Sequence, residues 1–285
     1  GQIDKYKARL VARGFSQTPG LDFDETYSPA TSLPVIRAMF VICLHLNLTL
    51  HHMDVKGAFL QSPLRYEIYI KLPDGYSAFG GVKYARLKKS IYGLKQAALD
   101  WYSFQDKFLT AFGFTRSTMD RCFYVYQKDG ITCIVYVHID DYLVGCSDEA
   151  FYQKWLQAYA QYLHDPNDIE DLGTPKNYMQ IALDVTPDSI TLSADHYISE
   201  SLTKYGLQDA SSKQRPLPTN GYDLPLGQEP TCQPTFRKMV GCGMWISRII
   251  RHDVYFGFVY LASFVSCCTD IHLEALKHLF RYLKH

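Results

Sequence analysis

Two aspartates stand side by side at Asp140 and Asp141, between the apolar runs Val135-Tyr136-Val137-His138-Ile139 and Tyr142-Leu143-Val144. Adjacent carboxylates repel, and burial adds to the cost of keeping both ionised. An isolated Asp-Asp is most often a solvated turn. The apolar flanks change that balance, because two packed strands would project both carboxylates from a sheet. A divalent cation relieves the repulsion, and hard cations take carboxylate oxygens. A third carboxylate, Asp54, sits at the end of the apolar stretch in His51-His52-Met53-Asp54-Val55. Three aspartates from two strand ends could hold two Mg²⁺ ions about 3.5–4 Å apart, the clamp of in-line phosphoryl transfer. Spacing alone leaves open whether Asp54 meets the pair.

The elements that must position these groups are legible as periodicities. Pro34 opens a helical stretch from Val35 to Leu46, with Ser32 as the expected cap. A strand follows from Leu48 to Val55. Trp101, Phe104, Phe108 and Phe112 recur at helical spacing up to Gly113, an aromatic stripe whose default role is core packing. Cys122 to Lys128 and Ile131 to Ile139 read as strands joined by an Asp129-Gly130 hairpin turn. Phe151, Trp155, Tyr159 and Tyr162 mark another helix. Asn177 to Val185 and Ser189 to Leu192 form a strand pair around Pro187-Asp188. A Pro-rich linker is expected over 216–234. From Thr235 onward the pattern is helical, and Ala275, Leu279 and Leu283 share one face.

Composition bounds the remaining possibilities. Hydrophobic residues make up 47% of 285 positions and charged residues 20%, which supports a sizeable core. Twenty-nine basic side chains balance twenty-nine acidic ones, which argues against a histone-like binder but does not exclude a basic groove. Lys5, Lys7, Arg9 and Arg13 form one basic cluster, and Lys83, Arg86, Lys88, Lys89 and Lys95 a second. Such runs are usually solvated faces; the functional alternative is phosphate contact. The cysteines lack CxxC spacing and mostly lie in apolar stretches, as buried thiols of a reducing compartment do. No apolar run reaches the roughly 20 residues of a membrane span.

At seven ordered blocks the sequence resembles the reverse transcriptase of copia-type LTR retrotransposons, the RNA-dependent DNA polymerase region of a Pol polyprotein. The blocks are Tyr6-Lys7-Ala8-Arg9-Leu10-Val11-Ala12-Arg13-Gly14-Phe15; Glu25-Thr26-Tyr27-Ser28-Pro29; the Asp54 segment; Leu87-Lys88-Lys89-Ser90-Ile91-Tyr92-Gly93-Leu94-Lys95-Gln96-Ala97; His138-Ile139-Asp140-Asp141; Asp171-Leu172-Gly173 through Ile181; and Glu274-Ala275-Leu276-Lys277 to Arg281-Tyr282-Leu283-Lys284. Each block is weak alone; their order carries the resemblance.

The resemblance implies an α+β right-hand polymerase with an antiparallel palm sheet. Fingers and palm would span 1–171, a primer-grip and thumb-like region 172–215, the linker 216–234, and a helical module 235–285 preceding an RNase H domain that lies outside the chain. It implies Asp54, Asp140 and Asp141 as catalytic metal ligands for two Mg²⁺ (or Mn²⁺) ions, with the Val55 carbonyl assisting. Lys7, Arg9, Phe59 and Gln96 would bind the dNTP, with Phe59 beneath the deoxyribose. Tyr178, Met179 and Gln180 would hold the primer end. The implied partners are an RNA or DNA template with its primer, dNTPs, and the RNase H and integrase regions of a polyprotein, in an intracellular, virus-like particle setting.

Five positions depart from the family pattern: His138 for Tyr, Ala98-Leu99 for Pro-Arg, Gln180 for Gly, and His252 for Pro. They admit a rival, a catalytically impaired remnant that only binds nucleic acid. A metal-dependent nuclease is a second rival, in which the Tyr92 to Gln96 block and Phe59 would have no role.

Overall fold

The computed structural model describes residues 8–73, 75–76, 82–218, 224–226 and 230–284. The chain divides into two compact units, Gly1–Pro175 and Lys176–His285. Lys5, Lys7 and parts of the expected linker lie outside the described residues.

The first unit runs α1 (Leu33–His45), β1 (Thr49–Val55), α2 (Ala58–Gln61), β2 (Tyr69–Lys71), β3 (Tyr84–Arg86), α3 (Ala97–Phe112), β4 (Thr115–Arg116), β5 (Phe123–Lys128), β6 (Ile131–His138), β7 (Asp141–Cys146), α4 (Glu149–Tyr162) and β8 (Ile169–Gly173). Six strands pair antiparallel in the order β4-β5-β6-β7-β1-β8. The β5–β6 hairpin turns through Asp129 and Gly130, both at positive φ, as an Asp-Gly turn requires. Strands β6 and β7 each carry five consecutive buried residues, so they are covered on both faces. One covering element is α1. A Cβ at Gly145 would lie 2.5 Å from the Cys43 sulfur, so only glycine admits the helix there. On the other face Trp101 and Phe108 of α3 and Trp155 and Tyr159 of α4 pack against Val135 and Val144. Helix α3 ends where Gly113 takes φ +115, a left-handed C-cap.

The second unit holds a three-stranded antiparallel sheet, β9 (Asn177–Tyr178), β10 (Ile181–Val185) and β11 (Ile190–Ser193), followed by α5 (Asp195–Lys204), α6 (Gln233–Ile249), α7 (Tyr255–Ala262) and α8 (Asp270–Leu283). The helices share one core, into which Ile198, Leu202, Phe236, Phe258, Leu276 and Phe280 are buried. Ala275, Leu279 and Leu283 of α8 are buried as their spacing predicts.

Three local expectations differ from the observed fold. Ser32 occupies the N-cap of α1, but its hydroxyl makes no capping bond; its backbone N–H donates instead to the Tyr136 hydroxyl at 2.5 Å. The stretch 177–185 is two strands, because Met179 (φ 50) and Gln180 (φ 64) turn the chain back on itself. A boundary at 171/172 would cut β8, which is paired to β1; the first unit runs on to Pro175, and α5 shares its core with α6–α8.

Candidate active site

Strand β1 lies between β7 and β8, and this decides where Asp54 goes. Its register partner on one side is Asp141 and on the other Glu170. Direct cross-strand partners share a face of the sheet, about 4.5–5.5 Å apart. Asp54, Asp141 and Glu170 therefore form a row of carboxylates across three strands. Asp140 joins them from the β6–β7 turn, where its carbonyl accepts the Val55 N–H at 2.8 Å. The sequence could not show that Asp54 meets the pair; the register does.

The turn is strained and held from outside. It consists of Ile139 and Asp140, with His138 and Asp141 as the closing pair. Ile139 sits at φ +57, which is costly for a β-branched residue. The Trp101 indole donates to the Ile139 carbonyl at 2.6 Å, while the Val55 amide holds the Asp140 carbonyl. A buried donor on each side fixes a conformation that the local sequence disfavours. His138 is anchored through Nδ1, 2.7 Å from the Thr31 hydroxyl.

The electrostatics follow from this crowding. Burial pushes the Asp54 carboxyl above its usual range, and Asp140, Asp141 and Glu170 push it further, against the opposing pull of His52. Burial likewise raises Asp140; Asp141 adds to it, while a backbone hydrogen bond, His138 and Arg9 oppose. His52 Nε2 lies 3.1 Å from an Asp141 oxygen, and Lys56 pairs with Glu170 at 2.8 Å. Among the described residues no three acidic, His or Cys side chains close into a ready metal cage. Like charges on one face repel one another. Their donors are hard oxygens, and the cost of their mutual repulsion is what a bound Mg²⁺ or Mn²⁺ would remove. In this chemical sense the site fits such an ion.

Two glycine crossings attach the N-terminal segment beside the site. A Cβ on Gly14 would lie 2.0 Å from the Gly93 carbonyl oxygen, and one on Gly93 would lie 2.1 Å from that of Ala12. The Ala12 N–H donates to the Tyr92 carbonyl at 2.8 Å. This docking sets the Arg9 guanidinium 4.8 Å over the Tyr92 ring. Burial raises the Tyr92 phenol, and the nearby Asp140 and Asp54 raise it further, against the pull of Arg9. Arg9, Tyr92, Asp140 and Asp54 are thus electrostatic neighbours.

Residues 2–219 match the family described as "Reverse transcriptase (RNA-dependent DNA polymerase)". The chain belongs to that family. It is 30% identical over 99% of its length to the "Retrovirus-related Pol polyprotein from transposon RE1" of Arabidopsis thaliana, covering 19% of that protein. It is 30% identical over 99% of its length to the corresponding polyprotein from transposon TNT 1-94 of Nicotiana tabacum, covering 22% of it. With the "Putative transposon Ty5-1 protein YCL074W" of Saccharomyces cerevisiae it is 26% identical, over 81% of this chain and 75% of that one. The chain thus spans about a fifth of the length of the polyproteins it matches.

The other residues singled out in this reverse transcriptase sequence have varied placements. Gln96 is 2% exposed; it accepts from the Gln17 amide at 3.1 Å and donates to the Asp22 carbonyl at 3.2 Å. Its side chain clasps the N-terminal segment to the start of α3. Phe59 is buried in α2, edge-on to Tyr92 with ring centroids 4.7 Å apart. Lys89 is half-buried and donates to the Gln61 carbonyl at 3.2 Å, so it is only partly available to phosphate. Lys7 lies outside the described residues. In the second unit Tyr178 is buried, and Met179 and Gln180 form the β9–β10 turn. Gln180 carries a positive φ at a position where the family commonly has glycine, the residue that adopts it without strain. No helix among the described residues is long and apolar enough to cross a membrane.

His52, Glu170 and Trp101 are the site residues that sequence reasoning missed. His52 carried a signal: it lies two residues before Asp54, hence on the same face of β1. Glu170 and Trp101 carried none, since only the register and the packing of α3 bring them in.

Proposed function

We propose that this chain is an RNA-directed DNA polymerase whose active site is the carboxylate cluster at the end of β1 and in the β6–β7 turn. The observation that carries it is the direct pairing of Asp54 with Asp141 beside the pinned Ile139-Asp140 turn. The reaction is attack of a primer 3′ oxygen on the α-phosphorus of a dNTP, with pyrophosphate leaving. Asp54, Asp140 and Asp141, with the Val55 carbonyl, would hold two Mg²⁺ ions, which supply charge for activating the hydroxyl and stabilising the leaving group.

The protein's own groups supply orientation. The Trp101 and Val55 donors keep the Asp140 backbone fixed, so the carboxylates need little reorganisation. Arg9 stands on Tyr92 beside Asp140, where a guanidinium would meet a triphosphate with charge-assisted hydrogen bonds. Lys7, two residues upstream, would add a second cation. Phe59 would lie below the sugar through its packing on Tyr92. Gln96 would act by fixing the segment that carries Arg9. In this reading the six-stranded sheet is the palm, the N-terminal segment with β2–β3 the fingers, and the unit from Lys176 onward the primer-grip and thumb-like region with the helices that share its core. Met179 and Gln180, with Tyr178 behind them, would steady the primer end. RNase H and integrase regions would be partners in a polyprotein, and a virus-like particle its setting.

Primer extension tests the reading. Asp140→Asn should reduce dNTP incorporation at least a hundredfold while leaving the melting transition in place. Wild-type extension by the variant would remove Asp140 from the chemistry.

A further inference from the structure

Cys133 of β6 and Cys146 of β7 are register partners on adjacent antiparallel strands. Pairs along such a ladder alternate between hydrogen-bonded and non-hydrogen-bonded. The Ser147 N–H donates to the Thr132 carbonyl at 2.9 Å, so the next pair along is a hydrogen-bonded one. Cys133 and Cys146 are therefore a non-hydrogen-bonded pair, whose Cα atoms lie about 4.5 Å apart. A disulfide spans roughly 4.4–6.8 Å between Cα atoms, so neither strand has to move to form one. Both residues are buried in the same core cluster, on the face shared with Val135 and Val144. Cys43 is not a rival partner, because it meets Gly145 on the opposite face of the sheet. The pair lies at the end of the β6–β7 hairpin away from the Ile139-Asp140 turn, and the polymerase chemistry makes no use of it.

We infer that Cys133 and Cys146 are a peroxide-sensitive thiol pair that closes reversibly into a cross-strand disulfide, independently of the polymerase reading above. The two thiols have different parts. A hydrogen bond from Cys133 lowers the Cys146 thiol, against the opposing effect of burial. The same bond, with burial, holds Cys133 well above the ordinary thiol range. Cys146 is thus the member that carries thiolate, the nucleophilic form. Its Sγ lies 3.2 Å from the carbonyl of Asp148, the N-cap of α4. Ser147 and Glu149 are exposed, so a molecule little larger than water has a short path to this sulfur. The Cys146 thiolate attacks one peroxide oxygen, the O–O bond breaks, and hydroxide takes up the proton that Cys146 released to leave as water. The Cys133 sulfur then attacks the Cys146 sulfenic acid. The S–S bond forms, the S–O bond breaks, and the hydroxyl leaves with the Cys133 proton as a second water. Two thiols lose two electrons and one peroxide gains them. A dithiol reductant reverses the step by exchange, as for the transient disulfides of reducing compartments. The bond fastens the open end of the hairpin that carries Asp140 at its tip.

Treatment of the native chain with hydrogen peroxide, then alkylation under denaturing conditions and tryptic digestion, tests the pair. No Lys or Arg lies between Lys128 and Lys154, so the peptide 129–154 holds both cysteines and no other. By mass spectrometry that peptide should escape alkylation and be lighter by two hydrogens than its reduced form. Dithiothreitol should restore both thiols. Closing so short a loop should raise the melting temperature by roughly 5–10 °C, and the reductant should cancel the rise. Cys146→Ser should lose the rise and leave Cys133 open to alkylation. Cys133→Ala should stop Cys146 at the sulfenic acid, which a cyclic 1,3-dione traps. Melting curves before oxidation establish that each variant is folded, and the wild-type peptide mass decides the matter without them. A wild-type peptide that stays fully alkylated, that carries sulfinic acid at Cys146 without the link, or that closes only after denaturation overturns the inference.

Discussion

Asp54 and Asp141 face each other directly across β1 and β7. Without a cation this contact is unfavourable, since like charges opposite one another on a sheet cost about 0.2–1 kcal/mol. Removing one charge should therefore help folding while it harms function. Asp54→Asn should raise the metal-free melting temperature and abolish measurable extension. A variant that melts lower than wild type would show that Asp54 is held by attractive contacts instead.

The raised carboxyls of Asp54 and Asp140 set a pH dependence. A carboxyl raised in the folded state binds its proton more tightly there than in the unfolded chain. Metal-free stability should thus increase as pH falls through the raised values toward about 4, the ordinary carboxylate value, and decrease as pH rises. Mg²⁺ competes with those protons. The rise in melting temperature on adding Mg²⁺ should be small near pH 4 and grow through the same window. A Mg²⁺ effect independent of pH, or absent throughout, would count against metal binding at these carboxylates.

The indole of Trp101 offers a test at a distance from the chemistry. Trp101→Phe keeps most of the apolar contact but leaves the Ile139 carbonyl without its 2.6 Å donor. Stability should fall by about 1–3 kcal/mol. Extension should fall by more than the lost folded fraction explains, because the Asp140 backbone loses one of its two restraints. Activity per folded molecule equal to wild type would mean that the Val55 contact alone suffices.

Phe59 separates packing from selectivity. The ring is buried against Tyr92, so Phe59→Val should lower stability by about 1–3 kcal/mol. If the ring also lies under the sugar, ribonucleotide incorporation relative to dNTP should rise severalfold, since it no longer crowds a 2′ oxygen. Single-nucleotide kinetics at a temperature where the variant is folded decide this. An unchanged ratio with lowered stability assigns Phe59 to the core alone.

Much of this molecule was written in local pattern. The aromatic stripe of α3 and its end at Gly113, the Asp129-Gly130 hairpin, and the apolar strands around Asp140-Asp141 all follow from periodicity and turn chemistry, which act over a few residues. The paired aspartates announced a charged turn for the same reason. The tertiary structure decided what depends on residues far apart in sequence. Asp54 meets Asp141 across 87 positions only because β1 inserts between β7 and β8, and strand order is a property of the whole sheet. The positive φ of Ile139 is visible only with Trp101 in place to hold it. The side-chain amide of Gln96 is engaged by Gln17 and Asp22, more than seventy residues away. A hydrogen-bond partner at that separation leaves no periodic trace, so packing alone reveals it.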